Sequence, residues 1–327
     1  MEGAALRARL SLRDQSGAAR DVPPLCFNAP VRILYFILIA VLALAGCQGQ
    51  DKEPLPTARA TLAFPTQDTT QSPTEMVTPT EKEAVESDID EACRQGAGRM
   101  ELFDLQSESL DAGLQFRVWL PPCYAEQSER HFPVLYLIHG QTFNGDQWDR
   151  LGADEAAAQG IAAGVYEPFI IVMPFDLASA QPSVDPFGEA FIEELLPFVD
   201  ANLRTLAERE YRAVGGLSRG ASWALHLALR YPELFGAVGG HSPPVFVEDA
   251  PQMEEILDAV PAGLMPRIWL DIGENDQQAI LNSAIWFEAL LTERGIPHQW
   301  QLFQGFHDEA YWASHVGQYL DWYTEGW

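Results

Sequence analysis

A serine flanked at fixed spacing by two glycines is the first group in this chain with an evident chemical use. Residues 216–220 read Gly-Leu-Ser-Arg-Gly, the pattern G-x-S-x-G. In such a turn the serine stands on a strained backbone between a strand and a helix, and the glycines let these elements approach closely. A serine hydroxyl attacks only when a base takes its proton. We therefore predict Ser218 as the nucleophile of acyl transfer, the alternative being a glycine-rich turn with a bystander serine.

The base is sought among the histidines after the serine, because in a strand–turn–helix arrangement of this kind the acid and the histidine follow the nucleophile. His307 lies in QGFHDEAYW, between the last predicted strand and the last predicted helix. A loop at that edge of a sheet lets a base lean over the serine. We predict His307 as the base, with His241 in GGHSPP as the alternative.

The acid that orients the histidine is expected on the loop after the preceding strand. IWLDIGENDQ offers Asp271, Glu274 and Asp276 there. Asp271 lies inside the strand, where the pleat directs its side chain, whereas Asp276 follows Gly273 on the loop itself. We predict Asp276 as the acid and keep Asp271 as the alternative. The three carboxylates together also fit a cation site, but a solvated loop is the preferred interpretation.

The oxyanion formed during acyl transfer needs two N–H donors aimed at it. One is predicted to be the backbone amide of Arg219, directly after the serine. The other should follow an earlier strand, and the amide of Gln141 in the segment His139-Gly140-Gln141 is the candidate. A plain strand-ending turn is the alternative at that position.

The elements that must position these residues alternate along the chain. Apolar runs of strand length include residues 133–140, 168–175, 211–218 and 267–273. Helical apolar spacing separates them, as over residues 189–204. A final strand and a final helix are predicted over residues 298–305 and 311–323. Strands that alternate with helices indicate an α/β fold with crossover connections.

The N-terminal fifty residues have the pattern of an export signal. Residues 33–45 are uncharged and apolar, and they are fewer than the roughly 20 that span a bilayer, as is typical of a signal peptide. The run ends Leu-Ala-Gly-Cys at Cys47, which resembles a bacterial lipobox. We predict a signal peptide over residues 1–46 and lipidation of Cys47, with a buried helix or a membrane anchor as the alternative. Because about thirty residues precede the run, we expect translation to start at Val31.

Residues 47–92 are rich in Pro, Thr, Ser and acidic residues and poor in large apolar ones. Such a segment buries too little surface to offset its ordering entropy, so we predict an acidic tether. The catalytic domain is then residues 93–327. With this lipid anchor, we expect the protein at the cell surface or in the periplasm.

Charge and composition limit the partners. The chain has 20 basic and 47 acidic residues, a formal net charge of −27. This charge repels phosphate backbones and anionic lipids, so we expect no nucleic-acid partner and contact with a membrane through the lipid anchor only. We expect catalysis to need neither a metal nor a cofactor.

Cys93 and Cys123 are the cysteines of the predicted domain. In an oxidising compartment two cysteines indicate one disulfide, which would clip the start of the domain to the end of an early strand. Two free buried thiols are the alternative.

These segments together resemble the esterase D-like family of α/β-hydrolases, which includes carbohydrate esterase family 1. The resemblance runs from about Phe116 to Trp312. It is carried by VWLPPCY, PVLYLIHG with the following Trp148, IIVMP, EELLPFVDANLR, GLSRGA, GENDQ and GFHDEAYW. It implies an α/β-hydrolase fold with a largely parallel central sheet flanked by helices in a single domain.

The resemblance also implies functional residues. It implies Ser218, Asp276 and His307 as a catalytic triad, with the amides of Gln141 and Arg219 as the oxyanion hole. Two departures from the family pattern matter. Cys123 replaces a usual glycine, which supports the disulfide. Arg219 and Ala221 stand where many members have Met and Gly, so a long cation beside the oxyanion hole would either attract an acidic acyl group or cap the helix.

The expected activity is hydrolysis of carboxylic esters through an acyl-serine by a secreted serine esterase. By family resemblance, carbohydrate-linked acyl or feruloyl esters are the expected substrates. An acyltransferase of the same fold and a catalytically silent binding lipoprotein are the alternatives. A peptidase is disfavoured because the predicted domain has no added lid or propeller to select peptides.

Overall fold

The computed structural model describes residues 93–327. The predicted signal peptide over residues 1–46, the lipidation site Cys47 and the predicted tether over 47–92 lie outside the described residues. The strands are β1 (Arg99–Leu105), β2 (Leu114–Leu120), β3 (Val134–Ile138), β4 (Ile170–Pro174), β5 (Arg212–Leu217), β6 (Ala237–His241), β7 (Arg267–Gly273) and β8 (Gln299–Phe303).

These strands form one eight-stranded sheet in the order β1-β2-β4-β3-β5-β6-β7-β8. The pairs β1–β2 and β2–β4 are antiparallel, and every other neighbouring pair is parallel. All residues of β3, β4 and β5 are buried. Continuous apolar strands of this kind belong to a parallel sheet covered on both faces, so the predicted α/β-hydrolase fold is confirmed.

The helices connect the strands and cover the sheet. They are α1 (Gln147–Arg150), α2 (Ala153–Ala162), α3 (Phe187–Ala190), α4 (Leu196–Asn202), α5 (Arg219–Arg230), α6 (Met253–Ala259), α7 (Gln278–Glu293) and α8 (Glu309–Tyr323). A π-helical turn (Phe191–Leu195) joins α3 to α4. The sequence pattern predicted this composite helix as one element over residues 189–204, whereas it predicted neither α2 nor α6.

Two apolar cores lie on opposite faces of the sheet. Helices α2 and α8 cover one face, where Ile161 and Tyr319 are buried with the aromatic side chains of α8. The composite helix α3–α4 and helices α5, α6 and α7 cover the other face, where Trp223 and Phe287 are buried. The described residues fall within one compact unit.

Cys93 and Cys123 are joined by a disulfide with a Cα–Cα distance of 5.1 Å. The bridge links the start of the described region to the turn after β2. Within residues 93–327, the structure has no helix that is both long and apolar enough to cross a membrane.

Candidate active site

Ser218 stands at the sharp turn between β5 and α5. Its backbone has φ 53° and ψ −124°, a conformation that is strained for a residue with a side chain. A Cβ atom on Gly216 would meet the backbone of Gly220, and one on Gly220 would meet the carbonyl oxygen of Ile138. The G-x-S-x-G spacing therefore exists because strand, turn and helix are packed backbone to backbone. The tight turn lifts the serine out of the sheet edge.

His307 and Asp276 complete a continuous hydrogen-bonded chain with this serine. The Nε2 atom of His307 lies 2.8 Å from Oγ of Ser218. Its Nδ1 atom lies 2.9 Å from Oδ2 of Asp276 and 2.8 Å from Oδ1. Because an ionised carboxylate only accepts hydrogen bonds, Nδ1 carries the proton and Nε2 is left to accept the serine proton. The structure thus brings together the three residues predicted as the triad.

The loops that carry the acid and the base are joined to each other. After the parallel strands β7 and β8, the amide of Glu274 donates to the carbonyl of Phe303, and the amide of Asn275 donates to Gly305, at 2.7 and 3.0 Å. These bonds extend the β7–β8 pairing beyond the strand ends. They hold the Asp276 loop against the His307 loop, which fixes the separation of the two side chains.

The two predicted oxyanion donors flank the serine. The amide of Arg219 is the first of α5, and first-turn amides have no acceptor within their own helix. Gln141 follows β3, on a loop where the carbonyl of Gly140 accepts from the amide of Phe143 at 3.2 Å. Gln141, Phe143 and Ser218 all line one cleft of about 550 Å³. Its other walls are formed by residues that include Ile280, His307, Asp308, Glu309 and Trp312.

The side chain of Arg219 does neither of the two things expected from the sequence. Its guanidinium is buried and binds Asp176 at 3.0 Å, Asp185 at 2.7 Å and the carbonyl of Ala180 at 2.5 Å. Burial, with the charge of nearby Asp176, raises the pKa of Asp185. The guanidinium is therefore committed to the loop after β4, and it is not available to attract an anionic acyl group.

His241 and Asp271, the alternatives for base and acid, pair with each other in the core. Nδ1 of His241 lies 2.6 Å from Oδ1 of Asp271, and both side chains are fully buried. Nε2 of His241 lies 3.0 Å from the hydroxyl of Tyr323. The hydroxyls of Tyr311 and Tyr319 donate to the other carboxylate oxygen at 2.7 and 2.8 Å. The pair is thus enclosed by its own partners.

The structure also adds residues that the sequence did not indicate. Gln147 is buried, and its side chain contacts both the amide of Gly140 and the carboxylate of Glu309. A single glutamine beside Trp148 has no pattern that predicts such a role. Within residues 93–327, no group of three or more His, Cys, Asp or Glu side chains is arranged to hold a metal ion. The carboxylates of the Asp276 loop accordingly form no cation site with their neighbours there.

Comparisons with known proteins agree with this architecture. The chain is 32% identical over 153 residues to an endo-1,4-beta-xylanase/feruloyl esterase of Xylanibacter ruminicola, covering 43% of this chain and 21% of that protein. It is 36% identical over 155 residues to esterase Rv1288 of Mycobacterium tuberculosis, covering 45% and 32%. The chain therefore spans about a third or less of the length of these curated relatives.

Solved structures share the fold. A ferulic acid esterase aligns with a TM-score of 0.62 at 23% identity, over 70% of this chain and 98% of that chain. The CE1 ferulic acid esterase of Anaeromyces mucronatus, in complex with ferulic acid, aligns with a TM-score of 0.55 at 22% identity, over 68% and 89%. A family model described as "Putative esterase" matches residues 107–322, more than half of the chain. The chain belongs to this esterase family.

Proposed function

We propose that the protein is a serine hydrolase of carboxylic esters, with Ser218 as nucleophile, His307 as general base and Asp276 as the acid that orients it. The observation that carries the proposal is the unbroken chain from Ser218 Oγ to His307 Nε2 at 2.8 Å and on to Asp276 at 2.9 Å. Membership of the esterase family supports the same chemistry.

In the first half-reaction, Ser218 Oγ forms a bond to the ester carbonyl carbon while His307 Nε2 takes the hydroxyl proton. The carbonyl oxygen becomes an oxyanion that the amides of Gln141 and Arg219 stabilise. Collapse of this intermediate breaks the bond to the alcohol oxygen, which leaves with the proton from His307. The acyl group remains on Ser218.

In the second half-reaction, water gives a proton to His307 and its oxygen attacks the acyl carbon. The carboxylic acid leaves, and Ser218 Oγ regains the proton from His307. An acyltransferase would use an alcohol in place of water at this step. An ester product that forms only when an alcohol acceptor is added would identify that alternative.

For the substrate, we propose carbohydrate esters of aromatic acids such as ferulic acid, whose acyl group carries no charge. The cleft has the apolar walls Phe143, Ile280 and Trp312, which suit an aromatic acyl group. It also contains Asp308, whose charge repels an anionic acyl group. The names of relatives that include feruloyl esterases support this choice. Carbohydrate attachment is an extension by analogy.

The test uses the full chain and its Ser218→Ala variant on methyl ferulate, p-nitrophenyl acetate and the anionic ester monomethyl succinate. We expect turnover of the neutral esters, little turnover of the succinate, and a loss of about 10⁵-fold or more in the variant. Ser314→Ala, an exposed serine on α8, is the control and should keep wild-type activity. Absence of turnover and of fluorophosphonate labelling at Ser218 would favour a silent binding protein.

We also propose that the protein is exported and anchored through lipid on Cys47. The apolar run over residues 33–45 and the Leu-Ala-Gly-Cys sequence support this, and the Cys93–Cys123 disulfide is consistent with an oxidising compartment. In a bacterial host fed an alkynyl fatty acid, Cys47→Ala should lose the label and leave the membrane fraction. Ser72→Ala, a change in the predicted tether, is the control and should keep both.

A further inference from the structure

Gly140, next to the predicted oxyanion donor Gln141, leaves little room for a side chain. A Cβ atom there would lie 2.8 Å from Cδ1 of Leu217 and 3.6 Å from Cβ of Ser218. A larger residue would have to displace the end of the Leu217 side chain, and glycine has the least restricted backbone of all residues. Glycine itself therefore does not fix the direction of the donor that follows it, so other groups have to do so.

Two side chains hold the backbone of Gly140 from both ends. Its amide donates to Oε1 of Gln147 at 2.8 Å. Its carbonyl accepts from Nδ1 of His139 at 2.7 Å and from the amide of Phe143 at 3.2 Å. Burial lowers the pKa of His139, and its Nε2 accepts from the amide of Asp176 at 2.9 Å, which leaves the proton on Nδ1. In a planar trans peptide the N–H of Gln141 points opposite to the carbonyl of Gly140, so the two bonds to that carbonyl set the donor's direction. The bond from the Gly140 amide to Gln147 holds the preceding peptide, and so anchors the loop that carries the donor.

Gln147 also reaches the other half of the site. Its side chain is fully buried, and its Nε2 donates to Oε1 of Glu309 at 3.1 Å. Glu309 is the first residue of α8, two positions after His307, and it pairs with Arg150 at 3.0 Å. The Oε1 and Nε2 atoms of Gln147 therefore each make one of these hydrogen bonds. The first holds the oxyanion loop, and the second holds the start of the helix that follows the base.

We propose that Gln147 is a positioning residue that anchors the loop carrying the Gln141 amide and keeps this oxyanion donor in register with His307. The inference rests on the proposed roles of Ser218, His307 and Gln141. Loss of an entire oxyanion donor lowers kcat by about 10²–10³-fold. Loss of Gln147, which anchors the loop of this donor, should lower kcat by about 10–100-fold. KM should stay within about two-fold, because the donor acts on the transition state.

Three variants of the full chain test this. Gln147→Met keeps the length of the side chain and removes both hydrogen bonds. Gln147→Glu keeps an acceptor for Gly140 but places a carboxylate against Glu309. The double variant Gln147→Glu/Glu309→Gln reverses the polarity of the link and restores both bonds, since the amide introduced at position 309 donates to the carboxylate introduced at position 147. Gln252→Met, an exposed glutamine that binds its own helical turn, is the control.

The measurement is kcat and KM per active site counted with a fluorophosphonate, together with Ki for a trifluoromethyl ketone, which binds as a tetrahedral oxyanion. We expect both single variants to lose about 10–100-fold in kcat, a parallel weakening of Ki, and recovery in the double variant to within about three-fold of wild type. Should Gln147→Met fail to fold, the comparison of Gln147→Glu with the double variant decides.

Three results would overturn the inference. The first is an unchanged kcat per active site in folded Gln147→Met, even with lowered thermal stability, which is the signature of packing alone. The second is a double variant that folds and shows no recovery over Gln147→Glu. The third is full activity in Ser218→Ala, which removes the proposed serine mechanism itself. The first two results leave that mechanism intact.

Discussion

Among the aspartate–histidine pairs of this domain, one lies at the cleft and another, of similar geometry, lies in the core. Asp276 and His307 are joined at 2.8–2.9 Å, and the second ring nitrogen of His307 faces Ser218. Asp271 and His241 are joined at 2.6 Å, and the second ring nitrogen of His241 faces Tyr323. The side chain of His307 is 12% exposed, whereas that of His241 is fully buried.

The difference shows that the pair alone does not make a catalytic site. The hydroxyl in front of His307 belongs to a serine that lines a cleft, so substrate can reach it. The hydroxyl in front of His241 belongs to a tyrosine in the core, and burial together with Asp271 raises the pKa of Tyr323 well above its usual value. Access and the third partner therefore decide which pair suits the proposed chemistry.

The core pair still bears on the site through the backbone. The carbonyl of His241 accepts from the amide of Ser218 at 2.8 Å, and the amide of Ser242 donates to the carbonyl of Asp271 at 2.7 Å. These bonds continue the pairing of β5, β6 and β7 into the loops above them. The backbone of the residues that form the core pair therefore helps to hold the strained turn at Ser218.

The largest difference in activity between the two pairs is expected when the histidine at the cleft is replaced. His307→Ala should lower kcat/KM for a neutral ester by about 10⁵-fold or more, because the serine loses its base. Thermal unfolding should change little, since this side chain lies at the cleft. His131→Ala, at an exposed histidine, is the control. A loss below about ten-fold would contradict the role of His307.

The next largest loss of activity is expected when Asp276, the acid of the cleft pair, is replaced. Asp276→Asn keeps the shape of the side chain but no longer fixes the proton on Nδ1 of His307, so kcat should fall by about 10⁴-fold. Glu274→Gln changes an exposed carboxylate on the same loop and should leave kcat unchanged. Equal losses in both variants would show that loop charge matters rather than contact with His307.

Replacing a residue of the core pair should lower stability rather than activity. Asp271→Asn leaves a buried cluster without its charge, and breaking such a pair costs about 3–5 kcal/mol. For a domain of this size that lowers Tm by about 6–20 °C. Turnover per folded active site should fall less than about ten-fold, in contrast to Asp276→Asn. Asp258→Asn, which breaks an exposed ion pair with Arg294, should cost at most about 1 kcal/mol.

The loss of stability in Asp271→Asn should also depend on pH. Burial raises the pKa of Asp271, but the charge of His241 and hydrogen bonds from His241, Tyr311 and Tyr319 outweigh it, so this pKa lies below its usual value. The native carboxylate then adds stability that is complete above the unfolded pKa of about 3.9 and is lost as pH falls through the lower native pKa. In urea unfolding at pH 7 and pH 3, the deficit of Asp271→Asn should shrink at pH 3. A constant deficit would contradict an ionised Asp271.

The smallest effect is expected at the third partner of the core pair. Tyr323→Phe removes the hydroxyl that contacts His241, which should lower the free energy of unfolding by about 1 kcal/mol and leave kcat unchanged. Chemical denaturation measures the first quantity and an ester assay the second. A drop in kcat without loss of stability would show that the core pair takes part in turnover.

The candidate site could be assembled from the sequence because its residues follow strands. In a parallel sheet the carboxyl ends of the strands meet at one edge, so Ser218, Asp276 and His307 were expected together once β5, β7 and β8 were predicted. The oxyanion segment after β3 follows from the same rule. This argument needs only strand positions, which continuous apolar runs indicate well.

The core pair could not be predicted, because it depends on register. His241 and Asp271 are directly opposite each other on β6 and β7. Local pattern marks each strand but not which of its residues faces which neighbour, so these two residues were considered separately as a base and an acid. The partners of Arg219 were missed for a related reason: Asp176 and Asp185 lie on a loop 43 and 34 residues earlier in the chain.

Helix α8 has a consequence for how the protein is made. It supplies the tyrosines of the core pair, and it directly follows His307, which is synthesised 89 residues after Ser218. A nascent chain therefore carries the proposed nucleophile for a long interval without its proposed base. Among the described elements, α8 leaves the ribosome or an export channel last. Under the proposed mechanism, a chain interrupted anywhere between Ser218 and His307 therefore cannot cleave esters.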